Sequence, residues 1–478
     1  DADLAEGRID LPTLSASVLG NTVQGSIKSS PGNTGRPVLK GELRAEGPDL
    51  AAAVIAAAAF QGIDSEDLIA LNTALGKRSD KAFLINATLD ADLGTDRINV
   101  PALTGRLFSN EVRGSLSVLR ATGDQPAITG ELSADGPDLP ALLALAGGLQ
   151  GADSGLVRLA AALTPATDKA FTFKSKFDAD LKEGRTEIST LTAQSLGLNL
   201  DGRLKIGHGA IDGHLLVKGT DLKDVLNALG QPDLGSAIQT IDFDAGIKGD
   251  GKTVALSPFS VTAQIAALAG GKPVDLRLSA GTAVANLELE TLSLKDLSLT
   301  GLGINLKAAL EATQIKSAPA YAGQITIPTF NLRNVLATLN KPPTLSDPNA
   351  LSAVGLNAQL EGTSQGVAFR GVVLKLDDTT VNGDLVLKAF AGPDLEFSLV
   401  ADTLNADRYL APAENDKVQP ITPEVAAAGA SMLPLETLRT LKIHGDVQIG
   451  QLQISGAKLA NLSLTVTGHD GQLALNPV

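Results

Sequence analysis

The chain of 478 residues carries 39 Lys and Arg against 53 Asp and Glu, a formal balance of −14. That balance excludes a nucleic-acid backbone as partner, because such binders need a basic stripe. The absence of cysteine likewise excludes disulfides, thiolate metal sites and a Cys nucleophile.

Hydrophobic residues reach 44%, too many for a disordered acidic tail, while aromatics are 3% with no Trp, so burial must rest mainly on Leu, Ile, Val and Ala. The longest nearly unbroken apolar run, Leu50 to Phe60, is about half the ~20 residues a membrane span needs. The first residue is Asp1 rather than Met, which is compatible with a leader or membrane anchor upstream.

In chain order, the string Asp-Ala-Asp-Leu opens at Asp1, Asp90 and Asp178, and similar text follows each copy: GRIDLPTL, DRINVPALTG and GRTEISTLTA. A fixed period of this kind marks a repeat architecture. Each unit is expected to close with a short helix capped at Asp49, Asp138, Asp221, Asn331 or Asn405, since Asp and Asn side chains accept from the free N–H groups of a first turn. Between the helices, apolar and polar residues alternate. In FTFKSKFDADLK, Phe171, Phe173, Phe177, Ala179 and Leu181 share one parity and the Lys and Asp residues the other, the period of a half-wet antiparallel strand. Hairpin turns are predicted at Asp201-Gly202, Asp250-Gly251 and Asn382-Gly383. Long connections are predicted around Pro342 to Pro348 and from Pro412 to Pro434, the latter with a helical Val425 to Ala430. The resulting division is 1–89, 90–177, 178–240, 241–345 and 346–412 as β-repeat units, a linker 413–433 and a last β segment 434–478.

Motifs of chemistry are weak. Asp90 with Asp92, and Asp178 with Asp180, could grip a divalent cation from one strand face, but the further ligands of a calcium loop do not follow, and a solvated face explains them better. Gly362-Thr363-Ser364-Gln365-Gly366 fits the nucleophile-elbow pattern, yet strand text lies on both sides, so a hairpin turn is expected. His208, His214, His444 and His469 have no ligand spacing, and neither Gly207-Gly209-Gly213 nor Gly270-Gly271-Lys272 completes a phosphate loop. No catalytic residue, metal or cofactor is expected.

The segment Pro434 to Val478, with a G-x-x-x-I-G-x-L hairpin at Gly445, Ile449, Gly450 and Leu452 and a turn at Asp470-Gly471, resembles the carboxy-terminal part of the bacterial AsmA family. Ala401 to Pro412, with Asp407, Arg408, Tyr409 and Leu410, resembles its D-x-L-x-x-D-R-Y-L segment. Whether Asp407 and Arg408 act in function or pair structurally near the helix stays open. The resemblance implies a mostly β fold: an elongated, curved, repeat-built antiparallel groove of the β-taco type with short capping α-helices. It further implies a periplasmic location, anchorage in the inner membrane of a Gram-negative cell by a segment outside this sequence, and a monomer that carries phospholipid or another acyl-chain lipid toward outer-membrane components. An assembly factor of the TamB-like sort and a periplasmic spacer are the alternatives. By strand parity the groove lining is expected at Phe171, Phe173, Phe177, Ile325, Ile327, Leu385, Leu387, Leu452, Ile454, Leu462, Leu464 and Val466.

Overall fold

The alternating text folds as strands nearly everywhere. A computed structural model describes residues 2–3, 8–60, 75, 80–119, 126–150, 154–269, 272–390, 392–412, 442–469 and 472–477. The segment Leu435 to Leu441, the predicted helix Val425 to Ala430, the linker 413–433, Gly270-Gly271 and the turn Asp470-Gly471 lie outside the described residues. The chain divides into two units, Asp1–Gly251 and Lys252–Val478.

The first unit is an antiparallel meander of β1 (Ala2–Asp3), β2 (Arg8–Val18), β3 (Asn21–Pro31), β4 (Pro37–Gly47), β5 (Phe83–Asp92), β6 (Arg97–Leu107), β7 (Asn110–Leu119), β8 (Ala127–Gly136), β9 (Phe171–Asp180), β10 (Arg185–Ser195), β11 (Leu198–Gly207), β12 (Ala210–Thr220) and β13 (Ile238–Gly249). Each strand pairs with the next. Helices interrupt it after every fourth strand: α1 (Leu50–Phe60) after β4, α2 (Leu139–Gln150) and α3 (Gly155–Leu163) after β8, α4 (Lys223–Ala228) and α5 (Pro232–Ala237) after β12. All therefore sit at one rim, and among the described residues the opposite rim holds turns alone. The repeat is thus four strands and a helical corner. Asp90 and Asp178 lie near the ends of β5 and β9, so each module starts earlier, at Phe83 and Phe171.

The caps form where the sequence places them in three cases. Asp49 accepts from the Ala52 N–H at 3.0 Å, Asp138 from Ala141 at 3.1 Å and Asn331 from Asn334 at 2.9 Å. Asp221 instead takes a left-handed backbone (φ 54°), α4 begins at Lys223 behind Leu222 without a side-chain cap, and the Asn405 copy shrinks to a single 3-10 turn, Ala406–Arg408.

The second unit contains β14 (Thr253–Ala269), β15 (Lys272–Ala280), β16 (Thr282–Asn286), β17 (Thr291–Gly301), β18 (Ile304–Thr313), β19 (Ala320–Phe330), α6 (Leu332–Thr338), β20 (Val354–Thr363), β21 (Val367–Leu376), β22 (Thr379–Leu387), β23 (Asp394–Asn405), β24 (Lys442–Ile454), β25 (Ala457–His469) and β26 (Gln472–Pro477). β15 and β16 act as one interrupted strand between β14 and β17. Every described pairing is antiparallel except β23 with β24, which run parallel from Asp394↔Lys442 to Asn405↔Gln453. A parallel partner cannot be reached by a tight turn, and residues 406–441 intervene between these two strands.

Three turn expectations fail, for one reason. Asp201-Gly202 lies inside β11, Asn382-Gly383 inside β22, and the proposed hairpin Gly445 to Leu452 is a single strand, β24. These glycines occupy inner-face positions within the sheet, described next.

Candidate functional site

Because paired residues share a face, the register can be followed strand by strand. In the first unit one such row reads Leu14, Gly25, Leu43, Ala87, Leu103, Gly114, Leu132, Ser175, Leu191, Gly202, Leu215, Ala245 from β2 to β13. No member is charged. The intervening positions on the opposite face are ionic: Lys40 meets Asp90 at 3.6 Å, Arg113 meets Asp135 at 2.9 Å, Lys176 meets Glu131 at 2.9 Å and Arg185 meets Asp178 at 3.1 Å. The Lys176 hydrogen bond and charge hold the Glu131 carboxyl below its ordinary value. In the Asp90 and Asp178 copies of Asp-Ala-Asp-Leu the first carboxylate thus joins a cross-strand ion pair. The second closes a turn, with Asp92 accepting from Gly94 at 2.8 Å and Asp180 from Glu183 at 3.0 Å.

The alternation survives because bulges correct it. Leu11 and Leu14 stand three apart but oppose Ile27 and Gly25, which stand two apart, so both face the same side. Val100 and Leu103, Ile188 and Leu191, Leu294 and Leu297, and Phe369 and Val372 repeat the arrangement. The recurring text around Leu11-Pro12-Thr13-Leu14 and Val100-Pro101-Ala102-Leu103 is the code for this bulge, which bends its strand and increases local twist.

At the same level the neighbouring strands carry diagonal glycine pairs: Gly25 with Gly41, Gly114 with Gly130, Gly202 with Gly213. A Cβ at Gly114 would come within 2.5 Å of the Glu131 carbonyl oxygen, and one at Gly130 within 2.7 Å of that of Ser115. The strands close up on the apolar side at this level, leaving no room for a side chain. Bulges and glycines together form a crease that makes the apolar face the inner one.

No second sheet packs on that face among the described residues. Leu11, Leu14, Val23 and Leu43, adjacent on it, are 37–46% exposed. At the helix rim the situation reverses. α1, α2 and α3 pack over the strand ends, where Leu50, Ala51, Phe83, Phe108, Ala141, Ala144 and Ala160 form a buried cluster against Ala45, Ile85 and Leu107. Fully buried Asn110 fastens this corner, donating from Nδ2 to the Asp138 carbonyl and accepting the Asp138 N–H, both at 3.0 Å.

The predicted lining residues fall on these faces within their own units. Phe171, Phe173 and Phe177 share the inner face of β9, with Phe171 6% exposed and Thr172, Lys174 and Lys176 exposed on the other side. In the second unit, Ile327 and Leu462 prove to be members of one row, Ile327, Leu356, Leu374, Val381, Ala401, Ile449, Leu462. Ile325, Leu385, Leu387, Leu464 and Val466 lie on parallel rows of the same face. Leu452 and Ile454 do not follow by alternation: the register skips Gly450 and Asn461, Asn461 has φ 53°, and Ile454 is 39% exposed. Leu181 lies past the end of β9 and is 45% exposed.

The remaining motifs have structural occupations. Ser364 sits in the hairpin joining β20 to β21, where the Thr363 N–H donates to the Gly366 carbonyl at 2.9 Å. His214 pairs with Asp244 across β12 and β13 at 2.8 Å. No group of three or more metal-ligating side chains occurs among the described residues. A shallow hollow of about 650 Å³ opens on the ionic face beside a bulge, among Asn99, Ser117, Glu131, Lys176, Asp178 and Glu187.

Asp407, Arg408 and Tyr409 form a clasp that sequence reading left open. Asp407 accepts N–H groups of the β24–β25 turn, from Ser455 and, at 3.0 Å, Gly456. Arg408 donates to Asp347 at 2.6 Å and Asp378 at 2.7 Å, and the Tyr409 hydroxyl donates to Asp377 at 2.8 Å. Asp377 also collects the N–H groups of Leu351, Ser352 and Ala353 at 2.8–3.0 Å. Partial burial raises its affinity for a proton, but these donors outweigh it and hold the carboxyl below its ordinary value. Burial and the Asp377 charge push the Tyr409 phenol up.

Comparisons with protein-family models, curated proteins and solved structures find no match. Among the described residues no helix is long and apolar enough to cross a membrane.

Proposed function

We propose that this chain is a non-enzymatic conduit for lipids, carrying phospholipid between membranes along the inner apolar face, in the manner the AsmA resemblance implies. The observation that carries the reading is a charge-free aliphatic face that runs from strand to strand within each unit and, among the described residues, has no second sheet over it. Apolar surface left in water is costly at about 25 cal/mol per Å², and an acyl chain covers it without demanding a polar partner. Aliphatic side chains on glycine-floored rows offer little that would arrest a chain sliding along them. A periplasmic site, with anchorage to the inner membrane, belongs to the same proposal. Native mass spectrometry of gently purified protein tests it: bound phospholipid supports the conduit, whereas peptide bound in its place, or an empty protein that extracts no lipid from vesicles, overturns it.

A further inference from the structure

Leu19 and Phe108 hold the same place in successive modules. They stand as far apart as the first two Asp-Ala-Asp-Leu copies, and each opens a tight turn at the helix rim with a left-handed backbone, φ 52° in both. Phe108 is 1% exposed, buried in a cluster with Leu50, Ala51, Leu75 and Phe83, and its N–H donates to the Ala82 carbonyl at 3.3 Å. Leu19 is 73% exposed, more than any other large apolar side chain among the described residues.

The strands leading into the two turns differ in the same way. β5 pairs along β6 from Asp92↔Arg97 to Phe83↔Leu107, whereas β1 repeats only the first two of those pairs along β2, as Asp3↔Arg8 and Ala2↔Ile9. Among the described residues no strand lies beside Leu11 to Val18 on that flank, and every residue from Leu11 to Gly20 is exposed. None of these residues is charged. A strand flank that stays in water is normally guarded by charge or proline. Pro12 is no such guard, because its counterpart Pro101 lies in a bulge of β6 that β5 pairs around.

The corner fastening differs too. Asn110 closes on Asp138 through two hydrogen bonds. Their counterparts are Asn21 and Asp49. Asn21 is 6% exposed, yet its Oδ1 has no hydrogen-bond partner, and its Nδ2 donates to the Leu19 carbonyl at a long 3.5 Å. A buried acceptor without a donor is costly, so this corner is left short of its closed arrangement.

From these differences we infer that the open flank of β2, together with Leu19, is a docking surface for a polypeptide segment of one kind: an apolar helical corner followed by a strand, as α1 is followed by β5. The strand pairs antiparallel with Leu11 to Val18, the helix covers Leu19, and Asn21 closes on Asp49. A bare strand such as β26 of a second copy does not suffice, since nothing in it reaches past the end of β2 to Leu19. The inference stands apart from the lipid reading, because Leu19 belongs to a rim turn and not to the row of Leu14 and Leu43.

The test joins a second copy of Asp49–Leu89 ahead of Asp1 in the full chain, so that Leu89 is again followed by Asp-Ala-Asp-Leu, and compares it with an extension by Phe83–Leu89 alone. The chain has no cysteine, so Leu19→Cys supplies a single thiol. With the long extension, alkylation of that thiol and hydrogen exchange of the β2 amides should both slow by at least about tenfold; with the short one, only the amides should slow. Unchanged labelling and exchange, with β6 to β8 still protected, overturns the docking surface. Slowed amides with a thiol equally fast in both extensions overturns the helical corner. An unextended chain that sediments as a dimer with a slow thiol puts a second copy on the surface and overturns the partner assigned. In the unextended chain Leu19→Asp should leave the unfolding midpoint unchanged; a lowered midpoint places Leu19 in the chain's own packing and overturns the inference whether or not the extensions fold.

Discussion

Arg408 reaches Asp347 through Nε at 2.6 Å although 61 positions separate them, and its other arm holds Asp378 at 2.7 Å, so one guanidinium ties the connection before β20 to the turn between β21 and β22. A lysine cannot reproduce that fork. Arg408→Lys should therefore lower the unfolding midpoint of the second unit while leaving the first unchanged. Tyr409→Phe, which removes the hydrogen bond to the Asp377 carboxylate, should cost about 1.5–3 kcal/mol. Hydrogen exchange read separately over the two units checks both; equal loss of protection in both units counts against the clasp.

The clasp should respond to acid in a defined window. The Asn349 N–H, Arg408 and the Gly456 N–H hold Asp347 and Asp407 below their ordinary carboxyl values. A folded-state value below the unfolded one stabilises above the ordinary carboxylate range of about 4 and is lost as pH falls through the depressed value. Thermal unfolding of the second unit should be flat from about pH 8 to 5 and fall only below about 4. Asp347→Asn should shrink that acid limb, and an unchanged limb would remove Asp347 from the account.

The crease predicts intolerance at positions that tables of strand propensity would call improvable. Gly130→Val puts side-chain carbons against the Ser115 carbonyl, the Phe177 ring and Leu116. Overpacking of this kind costs about 1–3 kcal/mol. Urea unfolding should show a lowered midpoint, whereas Thr129→Val, on the ionic face, should be near neutral.

Parity should govern lipid capture. Crosslinkers at Phe173 or Leu385 should take phospholipid, and those at Lys174 or Asp384 should not. Leu385→Glu places a carboxylate on the path and should reduce transfer between vesicles more than it reduces stability. Capture that ignores parity would sink the conduit.

Ser364→Ala should change neither folding nor transfer, because the serine only occupies a hairpin. Loss of a measurable ester hydrolysis with unchanged folding would show that the hairpin reading is wrong.

Strand existence was legible because an alternation such as Phe171 to Ala179 has a physical cause, one wet face. Which residues share the apolar face followed from the same parity except at Leu452 and Ile454, where paired irregularities at Gly450 and Asn461 interrupt the count. Glycine misled at Gly202 and Gly383, since a residue without Cβ serves a sharp turn and a crowded inner face alike, and local text does not separate the two. The signal that does separate them is recurrence: Gly25 and Gly114 stand as far apart as the first two Asp-Ala-Asp-Leu copies, and so do Gly41 and Gly130. The clasp was invisible because its partners, Asp347, Asp377 and the turn at Ser455, are distant in sequence and meet only once the strands between them are paired.

The parallel junction of β23 and β24 has a consequence for how the molecule is made. Antiparallel neighbours joined by turns of two to five residues can zip as they leave the ribosome, each using the last strand as its template. β24 instead closes a loop several times longer, an entropic handicap of ~2 kcal/mol relative to a tight hairpin. Until that loop closes, the long edge of β23 stands unpaired, offering its hydrogen bonds to any passing strand. The nascent chain is open to aggregation in that interval, after Asn405 has emerged and before Ile454 has followed it, as it is while residues 48–82 separate β4 from β5 and 137–170 separate β8 from β9.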